Sequence, residues 1–198
     1  EVIPVGSKME TRTPINIQLI PNKKIFLEFG HYENLKWIKT KTIPITDLKN
    51  EIDITKIQNE IKIQTKINAG ESMGISAKEI NIKFYSPDVT DLNFIDLPGL
   101  TMIACTDRGQ PKDIKEQIQN LIANYISKPN TIILCVMPAR EDLETDMALE
   151  LVKKYDIHSD EIRYSGAVLV RKYNSPVDKN KIRKYWDSKK NNNKFLLI

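Results

Sequence analysis

Short apolar strand patterns alternate along the chain with longer stretches of helical spacing. Six segments carry a strand pattern, either period-two alternation or an uninterrupted apolar run, and they cover residues 15–20, 24–29, 80–85, 92–95, 131–136 and 166–170. The first two are predicted to pair as a hairpin across Pro21-Asn22, and a turn at Pro87-Asp88 separates the third from the fourth.

Three segments have the spacing of helices, over residues 46–68, 111–127 and 143–155. The first is predicted to begin with Thr46 or Asp47 as its cap and to stop before Gly70. One face of it would carry Leu48, Ile52, Ile57 and Ile61, and the apolar stripe of the second would be Ile114, Ile118, Leu121 and Tyr125. The second is predicted to start at Pro111.

The alternation of strands and helices predicts the fold class. It favours an α/β domain whose mostly parallel, mixed sheet is flanked by helices. In such sheets ligands bind beyond the carboxyl ends of the strands. Candidate chemistry is therefore expected where strands end.

One strand end carries such chemistry, because Asp96-Leu97-Pro98-Gly99 directly follows the strand over 92–95. A carboxylate there can hold Mg²⁺ through water, and a glycine lets a backbone N–H come close to a phosphate oxygen. Pro98 stiffens the turn between them. Alone, the same pattern also fits an Asp-capped turn.

Composition narrows the class of protein. The 198 residues are 40% hydrophobic and suit one domain, and the net charge of only +4 does not predict nucleic-acid binding. Two cysteines do not suggest a disulfide framework, and no apolar run has membrane-spanning length. These features favour a cytoplasmic protein, with any membrane contact peripheral.

Several segments resemble one known family, and they occur in that family's order: residues 6–14, 74–76, 85–87, 96–101, 110–114 and 138–143. Together they resemble the large GTPase domain of dynamin-type proteins. The resemblance implies a P-loop GTPase-like fold that is incomplete at its N-terminus, because the phosphate loop G-x-x-x-x-G-K-[S/T] is absent from the sequence. We therefore expect a partial dynamin-type domain over 1–170, and over 171–198 a tail that is divergent or translated from non-coding sequence.

The resemblance implies roles for particular residues. Thr11 would be the catalytic switch residue, giving its hydroxyl to Mg²⁺ and its N–H to the γ-phosphate of GTP. Asp96 would hold the metal through water, and Gly99, with Leu97 and Pro98, would bind GTP. Lys8 stands where the family commonly has a second glycine, a departure that bears more on catalytic rate than on binding.

The base-binding motif also departs from the family pattern, T-K-x-D. Here Arg171-Lys172-Tyr173-Asn174 follows the strand. If the alignment holds, Lys172 stacks on the base and Asn174 replaces the aspartate, which weakens guanine binding and could favour xanthine. Alternatively, the resemblance ends near Val170.

The resemblance implies a function and partners for the parent protein. It implies GTP binding and Mg²⁺-dependent hydrolysis in a membrane-remodelling protein that self-associates through its GTPase domain. Peripheral membrane contact and microtubule contact are further expectations, and the fragment alone would hydrolyse GTP weakly or not at all. The open alternative is a non-catalytic interaction module that keeps the GTPase shell. An ATPase has less support, since only Asp96 favours it.

Overall fold

A computed structural model describes residues 11–47, 50–71, 73–100, 104, 106–128, 131–134, 136–137, 150–151, 154, 170–171 and 194–197. The strands are β1 Ile15–Pro21, β2 Phe26–Glu33, β3 Lys36–Pro44, β4 Ile80–Ser86, β5 Leu92–Asp96, β6 Thr131–Leu134, β7 Val136–Met137, β8 Val170–Arg171 and β9 Lys194–Leu197. The helices are α1 Glu51–Ala69 and α2 Ile114–Ile126, and a short 3₁₀ turn spans Thr106–Arg108.

Seven of these strands form one mixed sheet in the order β3-β2-β4-β1-β5-β9-β6. Pairings β1–β4, β5–β9 and β6–β9 are parallel, whereas β1–β5, β2–β3 and β2–β4 are antiparallel. The predicted α/β class with a mixed sheet flanked by helices is confirmed, although parallel and antiparallel pairings are equally frequent in this sheet rather than mostly parallel.

The two helices cover opposite faces of the sheet. Ile15 is opposite Asp96 in the β1–β5 register and Asn16 is opposite Ile95, so Ile15 and Ile95 point to different faces. Ile15 belongs to the core cluster under α1, and Ile95 belongs to the cluster under α2. The stripe predicted for α2 is confirmed, since all its members are buried: Ile114, Ile118, Leu121 and Tyr125.

The predicted hairpin between the first two strands is wrong. β4 lies between β1 and β2, and β1 uses its two edges to pair with β4 and β5. At the end of β1 the N–H of Asn22 donates to the carbonyl of Ser86 at 3.0 Å, which keeps the chain on β4. The following residues therefore cross the end of β4 before β2 begins.

The hairpin in this part of the sheet joins β2 to β3 instead, and β3 lies in a segment for which no strand was predicted. Its two-residue turn is Asn34-Leu35, with φ of 48° and 64°. Positive φ values at both turn residues match the twist of a tight hairpin, and these two positions are usually occupied by Asn-Gly. Leu35, which is 97% exposed, stands in place of the glycine that would mark the turn.

The start of α1 differs from the prediction. Asn50 caps the helix by accepting a hydrogen bond from the N–H of Ile52 at 2.9 Å. Thr46 instead donates its N–H and hydroxyl to Asp53, and these bonds, with one from Lys56, hold the pKa of the Asp53 carboxyl well below its usual range. The predicted end before Gly70 is confirmed.

The apolar face predicted for α1 is confirmed only in part. Ile57 and Ile61 are buried, whereas Ile52 is 66% exposed. Leu48 lies outside the described residues.

Downstream predictions are tested only where residues are described. The single strand predicted over 131–136 is split, because β6 lies in the large sheet and β7 pairs with β8 in a second one. In the helix predicted over 143–155, residues 150, 151 and 154 are helical and the others lie outside the described part. The domain boundary at residue 170 stays a prediction.

Replacing Thr13 with valine is expected to stabilise the fold by about 1 kcal/mol. The Thr13 hydroxyl is fully buried, and its oxygen has no hydrogen-bond partner among the described residues. Thr65 is the control, since its buried hydroxyl donates to the Ile61 carbonyl at 2.8 Å. Urea unfolding should show a gain for Thr13→Val and none for Thr65→Val; equal responses would contradict the prediction.

Candidate functional site

The candidate site begins at the carboxyl end of β5. Asp96 is the last residue of this central strand, and the chain leaves it through Leu97, Pro98 and Gly99. Leu97 is buried in the core cluster under α2, so packing anchors the loop directly after the carboxylate. The position of Asp96 is thus fixed on both sides, by strand pairing before it and by core packing after it.

Thr11 lies against this carboxylate. Its hydroxyl Oγ1 donates a hydrogen bond to Asp96 Oδ2 at 3.2 Å, across 85 positions of sequence. The structure therefore brings together the two residues for which a metal role was predicted. Their roles themselves stay predictions.

The Asp96 carboxyl lies in an environment that disfavours its charge. Burial raises its pKa to about 6, and the hydrogen bond from Thr11 offsets part of that increase. A carboxylate removed from water is stabilised by a nearby cation. The electrostatics therefore favour a positive charge at this point.

The donors at this point fit Mg²⁺. They are a hydroxyl oxygen and a carboxylate oxygen, and Mg²⁺ is typically bound through one or two such protein oxygens, several waters and substrate phosphates. No group of three or more His, Cys, Asp or Glu side chains able to hold a metal occurs in the described ranges. The pair thus suits a metal that arrives with a phosphate ligand better than a metal held by protein alone.

Gly99 is exposed. A Cβ added there would meet no heavy atom of the described residues within 4 Å, and the φ of Gly99 is not positive. Neither local packing nor backbone conformation therefore requires glycine here. Because Gly99 is exposed, a ligand can reach this loop, as the predicted phosphate contact requires.

A further residue contacts this site indirectly and was not singled out from the sequence. Arg12, next to Thr11, donates from its guanidinium to the carbonyls of Gly74 and Gly70. The available signal was weak, namely a basic residue directly after the predicted metal ligand and two glycines in the loop between α1 and β4.

The other predicted site residues lie outside the described part of the chain. These are Lys172 and Asn174, and the same holds for Lys8 and the rest of the segment before Thr11. The choice between guanine and xanthine, and the point where the resemblance ends, stay predictions.

Comparison with known proteins gives a consistent result. Residues 1–173 match the Dynamin family. The chain is 36% identical over 156 residues to Dynamin-3 from Rattus norvegicus and to Dynamin-2 from Bos taurus, in each case over 79% of this chain and 16% of the relative. It is also 36% identical over 162 residues to Dynamin-1-like protein from Danio rerio, over 79% of this chain and 22% of that protein. The chain thus spans less than a quarter of the length of these relatives.

Proposed function

The chain belongs to the dynamin family, and from this premise we propose that it carries part of the site with which its parent protein binds GTP and hydrolyses it with Mg²⁺. The observation that supports the proposal most is the contact of Thr11 with Asp96 at the strand end that leads into the exposed Gly99. A pair of oxygens that favours a cation, followed by a loop that a ligand can reach, suits a metal–phosphate ligand.

In this proposal each group has a distinct task. Thr11 and Asp96 would hold Mg²⁺, Asp96 through water, and the N–H of Gly99 would bind the γ-phosphate. When bound, the metal supplies charge neutralisation at the β- and γ-phosphates. Thr11 would bind the metal and the γ-phosphate while the triphosphate is present and would let go of them after hydrolysis, so the segment before β1 would act as the switch.

The role of the parent protein is proposed on family membership. We propose that it remodels membranes, associates with a second GTPase domain, and acts in the cytoplasm at membrane surfaces, with microtubule contact a further candidate interaction. Among the described helices none is long and apolar enough to cross a bilayer.

Hydrolysis by this chain alone is proposed to be weak or absent. The sequence contains no G-x-x-x-x-G-K-[S/T], whose lysine and hydroxyl make the strongest contacts to the β- and γ-phosphates and to Mg²⁺. Binding is therefore a better first test than turnover.

Removing the Asp96 carboxylate is expected to weaken Mg²⁺-dependent binding of fluorescent GTP and XTP by about 10- to 100-fold, as for other groups that hold a metal indirectly. The measurement is a titration of the purified chain with each nucleotide, with Mg²⁺ and with EDTA. Asp91→Ala is the matched control, because Asp91 is an exposed carboxylate just before the same strand.

Equal affinity in Asp96→Ala and the wild type would contradict the proposed site, as would an equal loss in Asp91→Ala. Failure of the folded wild-type chain to bind either nucleotide would contradict nucleotide binding by these residues and would leave either an incomplete domain or the non-catalytic module. Where binding occurs, the ratio of GTP to XTP affinity tests the assignment of Asn174.

A further inference from the structure

The guanidinium of Arg12 joins the Thr11 segment to the loop between α1 and β4. Nη2 donates to the Gly70 carbonyl at 3.1 Å, and Nη1 donates to the Gly74 carbonyl at 3.3 Å. One side chain thereby spans both ends of a five-residue stretch of loop. Hydrogen bonds from a charged donor are stronger than those between neutral groups.

The backbone of the same residue continues the contact. The carbonyl of Arg12 accepts a hydrogen bond from the N–H of Ser76 at 3.0 Å, and the carbonyl of Pro14 accepts one from the N–H of Ile80 at 2.9 Å. These bonds extend the parallel β1–β4 pairing towards the N-terminus. Arg12 is thus anchored through both its side chain and its backbone, and it is the sequence neighbour of Thr11, which contacts Asp96.

The site of the guanidinium is also electrostatically favourable. Gly70 is the C-cap of α1, and the carbonyls at a helix C-terminus carry partial negative charge. A cation placed there is stabilised by the helix dipole. The α1–β4 loop therefore offers two carbonyl acceptors and a negative electrostatic potential to the guanidinium of Arg12. The pair of hydrogen bonds from this guanidinium to Gly70 and Gly74 is called the fork below.

We propose that Arg12 is a positioning residue, which holds Thr11 against Asp96 by fastening the switch segment to the carbonyls of Gly70 and Gly74. In this role Arg12 acts through Thr11 and not on the metal or the nucleotide directly. The inference rests on the proposed function, which gives the Thr11–Asp96 pair its task, and adds the contact that keeps this pair assembled. Release of the fork frees Thr11 from Asp96.

The test replaces Arg12 with lysine, which keeps the charge but lacks the planar fork that can reach two carbonyls. NMR-detected exchange of the Ser76 amide is expected to become about tenfold faster or more, from the loss of a charge-assisted hydrogen bond. The wild-type Thr11 signals should move on Asp96→Asn substitution, and in the Arg12→Lys background this response should disappear. Lys66→Gln is the control, since it removes a positive charge from the same helix end and leaves the fork in place.

Retained protection of Ser76 in Arg12→Lys, together with a Thr11 response to Asp96→Asn, would overturn the proposal. The proposal would also be overturned if Arg12→Lys lowered the melting temperature while the Thr11 signals still moved on Asp96→Asn, because Arg12 would then only stabilise the fold. These signals need no nucleotide: if they behave as expected while the wild type binds no GTP, the positioning role stands and the proposed function fails.

A second measurement needs no variant. Trypsin acting on the wild-type chain should cut after Lys23 and Lys24, which are exposed, well before it cuts after Arg12, whose side chain is engaged. Cleavage after Arg12 at the same rate as after Lys23 would show that the fork does not hold.

Discussion

Asp96→Asn is expected to raise the free energy of unfolding of the metal-free chain by about 2–3 kcal/mol above pH 7, because the variant buries no charge. Burial raises the pKa of the Asp96 carboxyl from 3.8 to about 6, so folding at neutral pH places an ionised group where the protonated form is preferred. Asparagine has the same shape, and its carbonyl oxygen can still accept the hydrogen bond from Thr11.

The effect depends on pH with a definite sign. A carboxyl group whose pKa is higher in the folded state binds its proton more tightly there, so the wild type loses stability as pH rises from about 4 to about 6. Below that window the wild type and Asp96→Asn should differ little, and above it the difference should be complete. Other acids, such as Asp53, titrate alike in both proteins and cancel in the comparison.

The measurement is urea unfolding in EDTA at about pH 3.5, below that window, and at about pH 7.5, above it, with Asp91→Asn as the exposed control. A variant less stable than the wild type at both pH values would contradict the prediction. The same substitution should weaken Mg²⁺-dependent nucleotide binding. Asp96 would then lower the free energy of unfolding of the fold while it contributes to nucleotide binding, which is the stability–activity trade-off known for other functional residues.

Gly30→Ala is expected to destabilise the chain by about 3 kcal/mol, the upper range for an inserted methyl group. Gly30 lies in β2 where the pairing with β3 shifts register. A Cβ there would overlap the backbone oxygen of Ile38 and lie 2.7 Å from Cζ2 of Trp37. The obstructing oxygen belongs to the neighbouring strand, so relief requires the hairpin to open.

Gly99→Ala is the matched control for this prediction, because a methyl group there meets no heavy atom within 4 Å in the part of the chain that the structure describes. Its free energy of unfolding should stay within about 0.5 kcal/mol of the wild type. Urea unfolding of the two variants side by side gives the comparison. Similar losses in both would mean that the β2–β3 contact at Gly30 is not tight. Gly99→Ala should weaken nucleotide binding without that loss, because a side chain next to the N–H hinders the close approach of a phosphate oxygen.

The residues show which parts of the fold a sequence pattern can predict. Alternation identified β1, β4 and β5, and the stripe from Ile114 to Tyr125 identified α2, because burial on one face leaves a local period. The order of the strands in the sheet could not be predicted in this way, because it depends on contacts between residues far apart in the sequence. Nothing near Pro21 signals that Ser86, far along the chain, takes the place of the expected hairpin partner.

Two local errors have local causes. The turn before β3 was not predicted because Leu35 occupies a position with positive φ, where glycine is the usual residue and the usual sequence signal of a turn. The start of α1 moved because Asp53, a helix residue, accepts both hydrogen bonds from Thr46. The Thr11–Asp96 pair came from the family resemblance rather than from periodicity, since neither residue has a spacing that would link them. Arg12 was missed because its partners are backbone carbonyls, which leave no trace in side-chain identity.

The location of β9 has a consequence for how the chain folds. β9 lies between β5 and β6 in the sheet and pairs with both. In the sequence, however, β5 ends at Asp96 and β9 begins only at Lys194. Contacts of such long sequence separation form slowly. During synthesis the edges of β5 and β6 that pair with β9 would stay unpaired until β9 is made, and exposed strand edges are prone to aggregate. A chaperone that shields strand edges would therefore raise the yield of folded chain more than it would change the stability of the finished sheet.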